Sequence, residues 1–364
     1  MTPGVLNSYF SRSYSEARQS FLGLAQERGL SVKTHDLGMP GRDGEPLAMD
    51  VVWDGPADAS RVLLTTSGVH GVEGFCGSGV QCGLLAVGAD LLKEAPDTAM
   101  VHVHAVNPYG FSHWRRVNED NIDLNRNFVD FSQPLPAKPD YAALHALLLP
   151  EQWPPENANE LAMQSLLDEW GPRRAQLAVT GGQHSHANGL FYGGLRETWS
   201  NRVFRSVLRQ TTAYCRQLAW IDIHTGLGPY GVGERIFASN DPHASLARAK
   251  RWWGEGVTSV NTGSSTSIPM TGPIQMAVDT ECPQVEYTGI CLEFGTVPST
   301  QMHQVLRAEQ WLQMHPNAPA DQAKRIKTDL LAAFFPDADE WREQIWAQSL
   351  EACHQAIQGM QAEP

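Results

Sequence analysis

A chain of 364 residues with a hydrophobic fraction of 42% is long enough to bury a large core. Its formal net charge of −13 argues against nucleic acid or an anionic membrane as the main partner. The cysteines (Cys76, Cys82, Cys215, Cys282, Cys291 and Cys353) are scattered without a CxxC pair. They read as reduced thiols rather than a disulfide framework, which points to a cytoplasmic protein.

The opening stretch MTPGVLNSYFSRSYSEARQSF has no apolar segment of the signal-peptide kind, and no run elsewhere reads as a bilayer span. Ser13 followed by Glu16 predicts a helix start, with Ala17, Phe21, Leu24 and Ala25 as its apolar stripe and Gly29 as its stop. Strands are predicted at 49–53, 61–66 and 100–106, with a buried helix, SGVQCGLLAVGADLL, between the last two. From about 132 to 200 the pattern becomes rich in Pro, Gly and His, with short helices near 141–148 and 158–169. This segment reads as an insertion lining a site. A helix at 201–217, strands at 218–224 and 234–239, a helix at 243–253 and a strand at 289–294 follow. After 299 the chain is helical, with an aromatic-rich segment at 338–359. This order predicts one α/β domain over residues 1–364 with a mostly parallel sheet.

The chemistry concentrates where the strands stop. His70 lies just beyond the strand at 61–66, at the sheet edge where ligands gather in open α/β folds. It sits in SGVHGVEGFCGSG, whose glycines permit a tight turn, so that His70 and Glu73 can converge. An imidazole and a carboxylate suit Zn²⁺, although two ligands make no site and a solvated turn reads equally well. In LAWIDIH, Asp222 and His224 share a face by the two-residue strand period. His224 reaches the same edge, either as a third ligand or bonded to a neighbouring strand. Glu293 ends the apolar run GICLEF, where an acid is costly unless paired, wet or facing a metal. It is a candidate general base for a metal-activated water. Arg115, Arg116 and Arg126 stand out in an acidic chain, as partners for a carboxylate or oxyanion or as a solvated basic loop. His102 and His104 read as packed or edge-exposed histidines, His184 and His186 as part of a flexible polar loop or as groups facing substrate, and Asp222 as a support beside His224.

Four motifs then occur in order: HGVEG, NPYGF…WRR…NIDLNRNF, DIHTG and LEFGT. Together they resemble the zinc carboxypeptidase superfamily, and within it the bacterial DUF2817 branch, over roughly residues 10 to 300. The resemblance implies a three-layer α/β/α fold with a mostly parallel, mixed central sheet. It implies one Zn²⁺ held by His70, Glu73 and His224, with Glu293 as the base that activates water and passes its proton to the leaving amine. Asn125 and Arg126 match the pair that grips the substrate carboxylate, and Asp123 matches the group that orients His70. Arg116 is the counterpart of the arginine that polarises the scissile carbonyl, with Arg115 in reserve on the substrate side. The superfamily's mobile tyrosine has no counterpart, since NTGSSTSIPMTGPIQ stands where it belongs and Tyr287 is too near Glu293.

The implied activity is zinc-dependent hydrolysis of an amide bond in a small carboxylate-bearing substrate, a peptide or an N-acyl amino acid. An N-acyl amino acid deacylase of the aspartoacylase or succinylglutamate desuccinylase kind uses similar parts. A zinc-containing binding protein without turnover is the remaining alternative. Neither nucleic acid nor membrane is an expected partner.

Overall fold

The computed structural model describes residues 2–239 and 244–363. Seven strands form one sheet: β1 (Ser31–Pro40), β2 (Pro46–Asp54), β3 (Arg61–Thr66), β4 (Thr98–His104), β5 (Gln217–Tyr230), β6 (Gly233–Phe237) and β7 (Glu286–Gly295), in the spatial order β1-β2-β4-β3-β5-β7-β6. The central strands β4, β3, β5 and β7 run parallel. Their near-continuous apolar stretches are covered on both faces, as parallel strands require. β1, β2 and β6 join antiparallel at the flanks. The sheet is therefore mixed, and the parallel arrangement expected of most of it is confined to the centre. β1 escapes sequence detection because it is an edge strand, exposed along most of its length and without apolar alternation.

Helices cover both faces. Tyr14–Glu27, Gly74–Leu91, Ala244–Trp253 and Asp339–Ala362 pack on one side, around Leu63, Ile221, Ile223 and Leu292. Trp199–Thr211 and Ala277–Glu281 cover the other, around Val62, Leu64 and Trp220. Ser13 caps the first of these helices, its hydroxyl accepting from Glu16 N at 3.2 Å. The expectation that no run could span a bilayer needs correcting, because 71–91 is long and apolar enough to do so. In this fold 83% of that window is buried, so its apolarity is that of a core helix. Residue 243, the predicted start of the helix observed at Ala244–Trp253, lies outside the described residues.

Within 132–200 the chain forms Pro139–Leu148 and a longer helix than expected, Asn157–Thr180, which continues past a kink at Gly171–Pro172. Leu144 and Val179 from these helices, with Phe191 from the loop that follows, join one apolar cluster with the helices Ser299–Met314 and Ala320–Phe334.

The glycine-rich stretch after β3 works differently from the sequence reading. Only Gly68, at φ 61°, has the left-handed backbone of a turn. Gly71 is needed for close approach: a Cβ there would lie 2.0 Å from Gly110 C and 2.3 Å from Phe111 N. Backbone atoms cannot step aside. Gly71→Ala should therefore cost about 3 kcal/mol or more and lower Tm by several degrees. Gly23, in the helix Tyr14–Glu27, has open space on the side where a methyl group would project, with nothing within 4 Å. Gly23→Ala should instead raise stability by about 0.5–1 kcal/mol. Thermal melts of the two variants that moved in the same direction would contradict this account.

Candidate metal centre

β3 and β5 are hydrogen-bonded neighbours, so the chain leaving β3 runs beside the end of β5. After the turn at Gly68, His70 is the last extended residue before one 3-10 turn, Gly71–Glu73, which swings Glu73 back beneath it. His224 arrives from β5. The Nδ1 atoms of His70 and His224 are 3.1 Å apart. Glu73 bridges them, with Oε1 2.9 Å from His70 Nδ1 and Oε2 2.9 Å from His224 Nδ1. Thr225 N donates to the same Oε2 at 3.1 Å. All three side chains are buried, and their ligand atoms lie within 4.8 Å of one another.

The donor chemistry fits a divalent cation. His224 Nε2 is 2.8 Å from Asp222 Oδ2, which places a proton on Nε2 and turns Nδ1 towards Glu73, where a divalent cation would displace any proton it carries. Asp222 is in turn fixed by Thr66 Oγ1 at 2.5 Å and Gln275 Nε2 at 2.9 Å. Charge balance points the same way. Four carboxyl groups (Glu73, Asp123, Asp222 and Glu293) and only two guanidinium groups, Arg116 and Arg126, surround the site, so a cation entering this buried region meets acids to pair with. Burial opposes ionisation of Glu73, yet His70 and His224 hold its carboxyl well below the ordinary range. His224 is likewise held well above its ordinary range by Asp222 and Glu73, against the effect of burial.

Glu293 pairs in register with His224 across β5 and β7. Its Oε1 accepts from Leu227 N at 3.0 Å, and Cys291 Sγ lies 3.9 Å from Oε2. Burial, reinforced by the charge of Glu73, pushes its carboxyl up to about 8. This group is suited to taking up and releasing a proton.

The segment after β4 is docked onto the 3-10 turn by its backbone, with Gly71 N donating to Arg116 O at 3.1 Å and Val72 N to Arg115 O at 2.9 Å. That docking sends the two arginines to different places. Arg116 faces the centre: Nη2 lies 2.7 Å from His70 Nε2, Nε 3.0 Å from Asp123 Oδ2 and Nη1 3.4 Å from Glu73 Oε1. Arg115 does not belong to the substrate side, contrary to its reserve role. Its Nε donates to Glu309 at 2.9 Å and its Nη2 to Asn121 at 3.0 Å, so its charge is consumed in the buried contact with the helix Ser299–Met314.

Asp123 caps the short turn Leu124–Arg126, with Oδ1 accepting from Asn125 N at 2.9 Å. The same Oδ1 is 3.4 Å from His70 Nε2, longer than a good hydrogen bond, because the Arg116 guanidinium shares that nitrogen. The two contacts call for opposite tautomers: Asp123 needs a proton on Nε2 and Arg116 a lone pair. Asn125 Oδ1 accepts from Ile274 N at 3.0 Å. Among the described residues, the Arg126 guanidinium bonds only to the carbonyls of Asn125 and Thr180 and to Met270 Sδ. Its Nε has no partner, and no carboxylate pairs with it among the described residues. Burial pushes it down to about 10. It is a buried cation in want of an anion, and it borders the cavity.

A family model described as "Protein of unknown function (DUF2817)" matches residues 10–348. The chain belongs to the DUF2817 family. Among curated proteins none matches the sequence. Among solved structures, this DUF2817 chain is similar to carboxypeptidase A from Helicoverpa armigera, at 14% identity and a TM-score of 0.45 over 88% of this chain and 74% of the other. It is also similar to bovine thrombin-activatable fibrinolysis inhibitor in complex with tick carboxypeptidase inhibitor, at 13% identity and a TM-score of 0.43 over 94% and 98% of the two chains.

In this DUF2817 protein His70, Glu73, His224, Glu293, Arg116, Asn125 and Arg126 all line one cavity of about 880 Å³. Among the lining residues that the sequence did not single out as candidates are Phe191, Cys291 and His303. Each is embedded in a loop, strand or helix whose local pattern carries no sign of a site. Tyr287 shares a face of β7 with Glu293 but lies towards the other end of the strand, its hydroxyl bonded to Ala238 O at 2.6 Å, and no tyrosine is among the described lining residues. His102 and His104 are fully buried, bonded to Thr65 and Ser78, and burial lowers them to about 3 and about 4.

Proposed function

We infer that this DUF2817 protein is a zinc-dependent hydrolase of the zinc carboxypeptidase kind, acting on an amide bond in a small substrate with a free carboxylate. His70, Glu73 and His224 would hold one Zn²⁺, which when bound supplies Lewis acidity for the water and the scissile carbonyl. Glu293, steadied by Leu227 N, accepts the proton of the attacking water and delivers it to the leaving nitrogen. Arg116 is placed to donate to the developing oxyanion. Arg126 and Asn125 take the substrate carboxylate, with Arg126 providing, among the described lining residues, the buried cation that has no carboxylate of its own.

The observation that carries this reading is Glu293: a buried carboxyl with no ion pair among the described residues, in register with His224 and facing the same cavity as three convergent ligands. A protein that only bound zinc has no use for an acid in that position. Away from the centre the cavity is lined by apolar side chains such as Leu167, Val179, Ile268, Met270 and Leu306, interspersed with uncharged polar ones such as Gln176 and Asn261, and Glu73 and Glu293 are the only acids among the described lining residues. This lining favours an uncharged, largely apolar remainder of the substrate, such as an acyl chain or an apolar side chain.

The test is a panel of short peptides and N-acyl amino acids offered to the zinc-loaded protein, with products read by mass spectrometry. Cleavage of apolar members with a free carboxylate is expected. Conversion of that carboxylate to its methyl ester should lower kcat/KM by roughly 100-fold, about the cost of leaving a buried guanidinium unpaired. Peptides cleaved in preference to N-acyl amino acids indicate a peptidase, and the reverse a deacylase. Ester and acid cleaved equally well would remove Arg126 from its role.

A further inference from the structure

We propose that Phe191 is a positioning residue that holds the guanidinium groups of Arg116 and Arg126 for substrate through the face of its ring. The ring centroid lies 5.3 Å from Arg116 Cζ and 5.6 Å from Arg126 Cζ, and the side chain lines the cavity while remaining 6% exposed. One aromatic ring thus sits against both cations that the proposed reaction uses. The electrostatic reason is specific. A carboxylate at this position would pair with Arg126 and compete with the substrate for it. An aromatic quadrupole attracts a cation without supplying hydrogen-bond acceptors, so the donors stay free. Apart from this ring, the hydrogen bonds of the Arg126 guanidinium among the described residues go to two backbone carbonyls and the Met270 sulfur.

The backbone around Phe191 is built to keep the ring there. Phe191 has φ 52°, a left-handed conformation that a bulky residue adopts only when its surroundings impose it. Gln183 N donates to Phe191 O at 3.1 Å, and Gln183 Nε2 donates to His186 O and Leu190 O at 2.8 and 3.3 Å. The next residue is tied directly to the site, because Asp123 N donates to Tyr192 O at 2.7 Å. The same loop therefore fixes the ring and the backbone of the turn that presents Asn125 and Arg126.

The proposal rests on the reading of Arg126 as the carboxylate anchor, and its test separates the two. Zinc-loaded wild type, Phe191→Leu and Phe191→Tyr are compared on the best apolar N-acyl amino acid or peptide and on its methyl ester. Leucine carries the same backbone strain and similar bulk without the ring face, so any difference from tyrosine reports the aromatic interaction. Phe191→Leu should raise KM for the free acid roughly tenfold and shrink the acid-over-ester preference by a similar factor, and Phe191→Tyr should restore both. Melting temperatures and zinc content should stay close to wild type in both variants. If Phe191→Leu keeps the wild-type acid-over-ester preference, the positioning role is wrong. If leucine and tyrosine lose it equally and melt early, the ring is packing only, and the proposal is again overturned. If wild type itself shows no preference for the acid, it is the carboxylate-anchor reading that fails.

Discussion

Glu293→Gln is expected to bind zinc stoichiometrically and to lose roughly 10²–10⁴-fold in kcat, the usual contribution of a positioned general base. Glutamine keeps the side-chain oxygen that accepts from Leu227 N, so the local backbone should not move. Glutamine cannot take a proton from water at neutral pH, so the loss falls on kcat and leaves zinc affinity and substrate binding nearly intact. The pH profile provides a second check. Burial and the negative charge of Glu73 push the Glu293 carboxyl up to about 8, whereas a divalent cation between His70, Glu73 and His224 pulls it back down. A base works when deprotonated, so activity should rise with pH along an acid limb that lies below 8 and is absent from the residual rate of the glutamine variant. Normal turnover in Glu293→Gln would reassign the base. Zinc uptake by wild type with no hydrolysis across the substrate panel would favour a binding protein instead.

What could be read from the sequence was the interruption of apolar runs by polar residues at strand ends. Thr66 to His70, Asp222 to His224 and Glu293 each follow a stretch whose burial is obvious from composition, so a polar group there invites a chemical explanation. The structure brings His70, Glu73, His224 and Glu293 together because β3, β5 and β7 are consecutive parallel neighbours that end at the same edge. Properties that depend on tertiary docking were not legible. Nothing local distinguishes Arg115 from Arg116, since which of the two faces the cavity is decided by backbone pairing to Gly71 and Val72 and by the presence of Glu309 almost two hundred residues on. Gly71 reads as a turn residue, yet it is a point of backbone contact with Gly110. β1 carries no alternation because its position at the sheet edge leaves most of it exposed. Phe191 is an ordinary aromatic in a polar loop until Arg116 and Arg126 are placed against it.

His224→Ala should remove both metal and activity, and the two losses can be read separately. Two ligands remain, Glu73 and His70, and a structural zinc site contributes about 10–16 kcal/mol from four ligands, so losing one should weaken binding by roughly 10²–10³-fold. A truncated His224 also leaves Glu73 and Asp222 without the imidazole that stands between them, the contacts now being 2.9 and 2.8 Å. Two buried carboxylates without a shared partner destabilise the fold, so the metal-free variant should melt below metal-free wild type. For that reason the decisive quantity is the change in Tm on adding zinc, compared within each protein. Zinc that binds only the folded state adds about 2.7 kcal/mol at a concentration one hundred times Kd. Wild type and Glu293→Gln should both show the corresponding upward shift, and His224→Ala should show little or none at the same concentration. Asp222→Asn provides an intermediate case, because the ligand survives while the group fixing its tautomer is weakened, and its zinc affinity should fall roughly 10–100-fold. An undiminished zinc shift in His224→Ala would mean that the metal is held elsewhere, and the hydrolytic reading would fall with it.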